Sequence, residues 1–287
     1  MKITNKFGLP EPLASALGND KYKQVGDISV TGLIKPPKVR VLEKRHWNEL
    51  EEDISERVYR FLGSSVHEVF SRGNTDNALS EERLSVEIEG WKVSGQLDFY
   101  HADGTLSDYK VTSVYSFMLG DKIEWEQQLN CYAYLLNHAG FPVKSLRIVA
   151  ILRDWQASKV AEGYPPAPAI SVPVELWDLK NTEDFICSRV QDHKNAEKLT
   201  DDEIKICSAK ERWERPTTWA LKKKKNVRAT KVFDSEDLAA EALDANPDKK
   251  DMEIVKRPGE SVRCLRYCSV SKFCNFGKTL EGNSSDI

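Results

Sequence analysis

The stretch that decides the fold is "GQLDFYHADGTLSDYKVTS", Gly95 to Ser113, in which apolar and polar residues alternate on both sides of an Asp-Gly pair. Alternation with a period of two is typical of β-strands, and an Asp-Gly pair between two such runs predicts a hairpin. The predicted strands contain three charged residues, Asp98, Asp108 and Lys110. Because alternate residues of a strand share one face, Asp108 and Lys110 project together.

The length of the hairpin loop decides whether Asp98 joins this pair. A two-residue loop places Asp98 opposite Tyr109, so that its carboxylate faces away from Asp108. A three-residue loop, 102–104, places Asp98 directly opposite Asp108, and both carboxylates then converge. The longer loop also gives Gly104 the left-handed conformation that glycine tolerates best. We therefore predict the three-residue loop.

Composition indicates a globular protein of 287 residues, with 40% hydrophobic and 30% charged residues. No apolar run approaches the roughly 20 residues of a membrane helix. The amino terminus "MKITNKFGLPEPL" lacks the apolar segment of a secretory signal, so we expect a cytoplasmic protein. The net charge of -3 excludes nucleic-acid binding by bulk charge, so any such function depends on local patches.

Hydrophobic periodicity predicts the order helix, three strands, helix, strand. The segment 27–46 is predicted to be strand-like up to two prolines, and Arg45 to Arg72 is predicted to form one helix. Three antiparallel strands follow, with turns at Glu89-Gly90 and at the hairpin loop. A helix that stops near Gly140 and a buried strand, "SLRIVAILRD", come next, and the last long helix is predicted over 176–198.

The carboxy-terminal part is predicted to contain one helix, "SEDLAAEALDAN", and one strand, "MEIVKR". We expect three regions: an N-terminal lead-in segment (1–44), a core (45–200), and a C-terminal cysteine-cluster region packed on the core (201–287). The expected class is α/β, with a central mixed β-sheet flanked by helices.

Four short motifs fall on the predicted core elements. They are Gly-x-x-x-His at Gly63–His67, Gly-x-x-Asp at Gly95–Asp98, Asp-x-Lys at Asp108–Lys110 and Gln-x-x-x-Tyr at Gln128–Tyr132. Each motif, taken alone, more often consists of solvated or structural residues than of catalytic ones. In this order, on helix, strand, strand and helix, they resemble the PD-(D/E)XK nuclease superfamily, in particular its RecB-like exonuclease branch of phage-encoded and CRISPR-associated enzymes. The resemblance covers roughly residues 45 to 153.

The resemblance implies a restriction-endonuclease-like core and a role for each matched residue. Magnesium or manganese would be bound by the side chains of His67, Asp98 and Asp108 and the backbone carbonyl of Val111. Lys110 would orient or activate the attacking water, and Gln128 and Tyr132 would steady the site and contact the DNA backbone. Such a cation assists phosphodiester hydrolysis. Glu82 lies where these enzymes often have an acidic residue, and it is a candidate for a supporting role.

Three of the six cysteines lie within eleven residues, at Cys264, Cys268 and Cys274. In a cytosolic protein such crowding predicts metal binding rather than disulfides. Cys207, in a polar and loop-like segment, is the expected fourth ligand. Cys131 and Cys187 fall on predicted helices and are expected to be small core residues.

Thiolates suit both a 4Fe–4S cluster and tetrahedral zinc. The resemblance favours the 4Fe–4S cluster, because RecB-like relatives have three such cysteines near the carboxy terminus. This chain departs from that pattern in its first spacing and in the position of its fourth cysteine. Zinc therefore remains the alternative. Either group would staple the carboxy-terminal extension.

The run "LKKKKNVRATK" contains Lys222, Lys223, Lys224 and Lys225. Such runs are usually solvated loops. With Trp213 and Trp219 just upstream, the run could instead contact DNA phosphates or help to stack a base.

The leading hypothesis is a metal-dependent DNA exonuclease of phage origin or of recombination and repair. A single-stranded DNA end is the expected substrate, and a homo-oligomer or a recombination partner is possible. One alternative is a non-catalytic DNA-binding or assembly protein that keeps the nuclease fold. Another is a nuclease that processes DNA ends in CRISPR adaptation.

Overall fold

The structure is a computed structural model that describes residues 1–18, 25–72, 78–119, 122–161 and 163–282. The chain divides into two compact units. The first consists of Met1–Val41 and Trp47–Lys198, and the second of Leu42–His46 and Leu199–Ile287. None of the helices in the described ranges combines the length and the hydropathy of a membrane span.

The first unit contains the sheet that carries the hairpin. The strands of this unit are β1 (Lys2–Thr4), β2 (Ile28–Ser29), β3 (Glu51–Asp53), β4 (Leu79–Ser80), β5 (Arg83–Ile88), β6 (Trp91–Gln96), β7 (Phe99–Tyr100), β8 (Thr105–Thr112), β9 (Ser145–Leu152) and β10 (Ala169–Val174). Five of them form a mixed sheet in the order β10-β9-β8-β7-β4, in which only β8 and β9 are parallel. A three-stranded sheet has the order β2-β6-β5, and β1 pairs with β3.

The helices of the first unit are α1 (Glu11–Gly18), α2 (Val30–Ile34), α3 (Pro37–Arg45), α4 (Val58–Ser71), α5 (Val114–Leu119), α6 (Ile123–His138) and α7 (Leu179–Lys198). The last residues of α3 belong to the second unit. Helix α6 is the centre of the core, because Leu129 to Leu136 are all buried against α2, α7 and the sheets. Cys131 is buried in this core and Cys187 packs against it, as predicted. The mixed α/β class is confirmed.

The hairpin has the predicted three-residue loop. Phe99 lies opposite Ser107, and the His101 amide donates to the Thr105 carbonyl at 2.9 Å, which leaves 102–104 as the loop. Gly104 adopts φ +90°, the left-handed region that favours glycine. The same register places Asp98, just before β7, level with Asp108.

The prediction of three strands in one antiparallel sheet is wrong at one point. The chain leaves the β5-β6 sheet after Gln96 and joins the five-stranded sheet at Phe99. Asp98 lies between these two strands, so the alternating side-chain directions within β6 and β7 do not fix the direction of its side chain. The Glu89-Gly90 turn is confirmed, with φ +51° and +67°.

The prediction of one helix from Arg45 to Arg72 is also wrong, because only α4 is a long helix there. Upstream of α4, β3 pairs in parallel with β1 and is followed by a short 3₁₀ turn, 54–57. The Asp53 carboxylate begins this turn by accepting from the Ser55 amide at 3.1 Å, and it also accepts from the Lys6 amide at 2.7 Å.

The predicted strand-like lead-in is a strand only at β2, and helices α2 and α3 follow it. The Ser29 hydroxyl accepts from the Gly32 amide at 3.0 Å and begins α2. Pro37 is the first residue of α3, a position that proline suits because no backbone N–H is needed there. The Pro-rich stretch near 165–174 includes β10, which pairs with β9.

The second unit has its own small sheets and helices: β11 (Glu214–Arg215), β12 (Thr218–Lys223), β13 (Lys231–Phe233), α8 (Glu236–Asp244), β14 (Met252–Arg257), β15 (Glu260–Ser261), α9 (Val262–Arg266) and α10 (Asn275–Gly282). Strands β13, β12 and β14 form an antiparallel sheet in that order, and α8 contacts all three. The predicted helix and strand of this region correspond to α8 and β14. The Ser235 hydroxyl begins α8 by accepting from the Leu238 amide.

Candidate active site

Lys110 is held in place by a buried carboxylate and by helix α6. Its Nζ lies 2.8 Å from Asp108 Oδ2 and donates to Gln128 Oε1 at 2.9 Å. Gln128 Nε2 in turn donates to the Tyr132 hydroxyl at 3.0 Å. The Asp-x-Lys and Gln-x-x-x-Tyr motifs therefore meet, as the sequence predicted. Tyr132 is only 6% exposed, which favours a role in positioning Gln128 over direct contact with DNA.

A second group of side chains lies beside the first, and it brings helix α4 to the hairpin. His67 Nδ1 is 3.2 Å from Glu81 Oε1 and 3.4 Å from Asp98 Oδ1. One ligand atom from each of these three residues lies within 4.8 Å of the others. Neighbouring ligand atoms around an octahedral ion with bonds of about 2.1 Å are about 3 Å apart. The spacing of the three side chains therefore suits one divalent cation.

Asp108 is the most unusual residue of the site. It is 2% exposed, and its Oδ1 has no hydrogen-bond partner among the residues that the structure describes. Its Oδ2 lies 2.8 Å from Lys110 Nζ, so the two side chains form an ion pair. A buried carboxylate oxygen without a partner is costly, and a bound cation beside Oδ1 would compensate for that cost.

Two pKa shifts reflect this crowding. Burial, with the neighbouring Asp108 carboxylate as the next cause, raises the pKa of Asp98 to about 7. The hydrogen bond to Glu81 is the main cause that raises the pKa of His67, against the effect of burial. Buried carboxylates that repel one another are typical of metal centres.

The residues present fit magnesium or manganese, because the donor set is carboxylate oxygens with one imidazole. Of the three predicted side chains, His67 and Asp98 belong to the group with Glu81, whereas Asp108 lies outside that group and close enough to raise the pKa of Asp98. Val111 follows Lys110 on β8, and the role of its carbonyl stays a prediction.

Glu81 is the member of the site that sequence reasoning missed, because Glu82 was the expected acidic residue. Glu82 is exposed, whereas Glu81 contacts His67 and accepts from Gln96 Nε2 at 2.9 Å. Glu81 has φ +55° and its amide donates to the Asp98 carbonyl at 3.1 Å, so an unusual backbone conformation turns its carboxylate into the site. Two adjacent glutamates give no sequence signal that distinguishes them.

No protein-family model matches this chain, and no curated protein matches it. Among solved structures, the chain is similar to the crystal structure of SSO0001, with 21% sequence identity over 64% of this chain and 83% of that one, at a TM-score of 0.46. It is also similar to a phage related exonuclease from Haemophilus somnus 129PT, with 13% identity over 66% of this chain and 83% of that one, at a TM-score of 0.29. Sequence identities and TM-scores this low do not show that this chain has the activity of either protein.

The second unit places the four cysteines that the sequence grouped near enough to affect one another's pKa, although in the described part of the chain no three of their sulfur atoms lie within 4.8 Å of one another. Burial raises the pKa of the Cys207 thiol to about 12, and Glu211 and the three other thiols add to the rise. Burial likewise raises the pKa of Cys264 to about 11, with Cys268 and Cys274 as the next causes. All four thiols are free. Neighbouring thiols that are hard to ionise alone suit a cation that removes their protons.

The predicted DNA-binding lysines lie at the end of β12 and in the turn after it. Lys222 Nζ is 2.9 Å from Glu253, and Lys223 Nζ is 3.9 Å from Asp248. Lys224 Nζ donates to a backbone carbonyl at 2.8 Å. Lys225 is exposed. Contact of this run with DNA phosphates stays a prediction.

Proposed function

We propose that the chain is a divalent-metal-dependent deoxyribonuclease that removes nucleotides from a DNA end, with magnesium or manganese as its cation. The observation that carries this proposal is the buried Asp108 carboxylate, whose Oδ1 has no hydrogen-bond partner in the described part of the chain while the Lys110 ammonium lies 2.8 Å from its Oδ2. We call the acidic side chains Glu81, Asp98 and Asp108 the carboxylate cluster, and a protein that only binds DNA has no need for a lysine beside it. A single-stranded end is the proposed substrate.

Each side chain has a role that its contacts support. His67, Glu81, Asp98 and Asp108 would hold the cation, which would lower the pKa of a water molecule and balance charge on the phosphate. Lys110, fixed by Gln128, can donate a hydrogen bond to the water or to the phosphate. In the reaction the water oxygen bonds to phosphorus and the bond from phosphorus to the departing sugar oxygen breaks. One proton passes from the water to that departing oxygen.

A nuclease assay with Lys110→Ala tests the proposal. Labelled single-stranded and double-stranded DNA are incubated with magnesium or manganese, and initial rates are compared with those of the wild type. Loss of one positioned donor should lower the rate about 100- to 1,000-fold. Lys159→Ala, which changes an exposed lysine of the same unit, should leave the rate unchanged. Equal rates for wild type and Lys110→Ala would reject catalysis at this site.

The requirement for an end is tested with circular DNA. A linear single strand and a closed circle of the same sequence are compared under identical conditions. An exonuclease degrades the linear strand and leaves the circle intact. Cleavage of both at similar rates would assign an endonuclease instead.

We also propose that Cys207, Cys264, Cys268 and Cys274 hold a 4Fe–4S cluster that staples the second unit. The three other thiols each raise the pKa of Cys207, and this proximity supports one cluster shared by all four. Protein purified without oxygen should be brown and should contain about four iron and four sulfide ions per chain. Colourless protein with one zinc ion per chain would assign the alternative, a tetrahedral zinc site.

A further inference from the structure

Two large aromatic side chains lie exposed and in contact on the second unit. Trp213 is 43% exposed and Tyr267 is 67% exposed, and their ring centroids are 5.5 Å apart. The guanidinium carbon of Arg263 lies 5.2 Å from the centre of the Trp213 ring. We call Trp213, Tyr267 and Arg263 the aromatic platform. Exposed rings that touch one another and a cation resemble a surface on which a further flat group can stack.

The backbone holds Trp213 in a conformation that bulky residues rarely adopt, with φ +51°. Backbone hydrogen bonds on both sides fix it: the Trp213 amide donates to the Lys210 carbonyl at 3.0 Å, and the Glu214 amide donates to the Ala209 carbonyl at 3.0 Å. A glycine would be less strained at this position. The chain therefore has a large, partly exposed side chain at a strained position, and strain of this kind is frequent at ligand sites.

The chain around the aromatic platform is basic. Its two segments, 205–215 and 260–272, contain seven basic residues and three acidic ones. The basic residues are Lys205, Lys210, Arg212, Arg215, Arg263, Arg266 and Lys272, and the acidic ones are Glu211, Glu214 and Glu260. This excess of four positive charges is local, because the whole chain has a net charge of -3. A ligand with flat apolar groups and negative charge fits such a surface.

We infer that the aromatic platform binds single-stranded DNA, with a base stacked on Trp213 or Tyr267 and phosphates near the basic residues. The choice of DNA rests on the proposed function, whereas the platform itself is a separate site on the other unit. In a duplex, neighbouring base pairs cover the faces of the bases, so stacking on protein rings selects unpaired strands. An apolar protein segment would use the rings but gains nothing from the surrounding cations.

The inference is tested by fluorescence anisotropy with a labelled oligothymidylate. All variants are made in a Lys110→Ala background, and binding is measured without magnesium or manganese, so that the strand is not cleaved even if Lys110 is not catalytic. Trp213→Gly removes a ring and suits the backbone conformation, and Tyr267→Ala removes the second ring. Each should weaken binding about tenfold, because one stacked base contributes at that level. Tyr267→Phe keeps the ring and should bind like the background.

Phe7→Ala is the matched control, since Phe7 is a 76% exposed aromatic residue of the first unit, and its affinity should be unchanged. Duplex affinity should change less than about twofold in the ring variants. Thermal midpoints check folding, and Tyr267→Ala keeps the test valid if Trp213→Gly melts early. Unchanged binding in both ring variants, or loss of binding in Tyr267→Phe, would overturn the inference.

The two proposals fail separately. If cleavage depends on Lys110 and the ring variants bind normally, only the aromatic platform is wrong. If Lys110→Ala cleaves like the wild type while the ring variants lose the oligothymidylate, only the catalytic site is wrong.

Discussion

Two glycines that begin motifs of the candidate site have opposite physical surroundings. Gly63 lies inside α4, and a Cβ atom added there would meet nothing within 4 Å. Glycine in a helix interior costs about 0.5–1 kcal/mol relative to alanine. We therefore expect Gly63→Ala to raise the free energy of unfolding by about that amount, measured by urea denaturation. A decrease would show that α4 requires the glycine backbone.

Gly95 has no such space. A Cβ atom added there would lie 2.5 Å from Cε1 of Tyr132 and 3.0 Å from Cγ2 of Val30. Gly95→Ala should therefore lower the free energy of unfolding by about 1–3 kcal/mol, as overpacked cores do. It should also slow DNA cleavage, because displacement of Tyr132 moves Gln128 and hence Lys110. Gly63→Ala is the matched control, and a Gly95→Ala protein as stable as the wild type would contradict the close packing.

Among the helices, α7 holds the end of α2 through a buried histidine and an arginine. His193 is fully buried, and its Nε2 lies 3.0 Å from the Leu33 carbonyl. Arg189 donates to the Leu33 and Lys35 carbonyls at 3.1 and 2.7 Å. A five-residue helix such as α2 leaves its last carbonyls unpaired unless other groups bind them. The two side chains of α7 therefore fix the short helix.

This contact should make stability depend on pH. Burial lowers the pKa of His193 to about 4 from its ordinary 6.5, so folding favours the neutral ring. The stabilisation is complete above about pH 6.5 and is lost as the pH falls towards 4, by roughly 3 kcal/mol in all. His193→Gln keeps a donor for the Leu33 carbonyl and cannot be charged, so unfolding free energies at pH 7 and pH 5 should differ less than in the wild type. His138→Gln, at an exposed histidine, should keep the wild-type difference. An unchanged difference in His193→Gln would contradict the role of the buried ring.

Elements with strong local patterns could be predicted from the sequence. Strands β8 and β9, helix α6 and the hairpin loop follow from period, turn residues and the conformation of Gly104. The segment before α4 could not be predicted, because β3 exists only by pairing with β1, about 49 residues away in sequence. The apolar residues of this segment recur at helical spacing. The Asp53 carboxylate, which begins the 3₁₀ turn, also accepts from the amide of the distant Lys6.

The candidate site was predictable to a similar extent. The spacing within two motifs predicted that Asp108 and Lys110 share one face of a strand and that Gln128 and Tyr132 share one face of a helix. The four residues meet because these faces of β8 and α6 pack together. Glu81 was not predictable, because its place depends on a left-handed backbone residue at the crossing between two sheets. A pattern that repeats along one element is visible in sequence, whereas a turn that joins two sheets is not.

Across the whole molecule, the two candidate metal groups belong to different units. The carboxylate cluster lies within Trp47–Lys198, and all four grouped cysteines lie within Leu199–Ile287. A cluster bound by four thiols constrains only the chain between the residues that it joins, here 207 to 274. Its loss should therefore loosen the second unit and leave the carboxylate cluster intact.

Limited proteolysis of Cys207→Ser tests this division. Removal of one ligand should release the metal and expose the chain after about residue 199 to a protease, while a fragment that contains 47–198 persists on a gel. Manganese titration by calorimetry should give the wild-type affinity, because none of the carboxylate ligands changes. Cys187→Ser, at a half-buried cysteine of α7, is the control and should keep both the bound metal and the wild-type digestion pattern of 199–287. Rapid digestion of 47–198 in Cys207→Ser would mean that the cysteine group stabilises the first unit as well, since only a constraint that reaches the core could protect it.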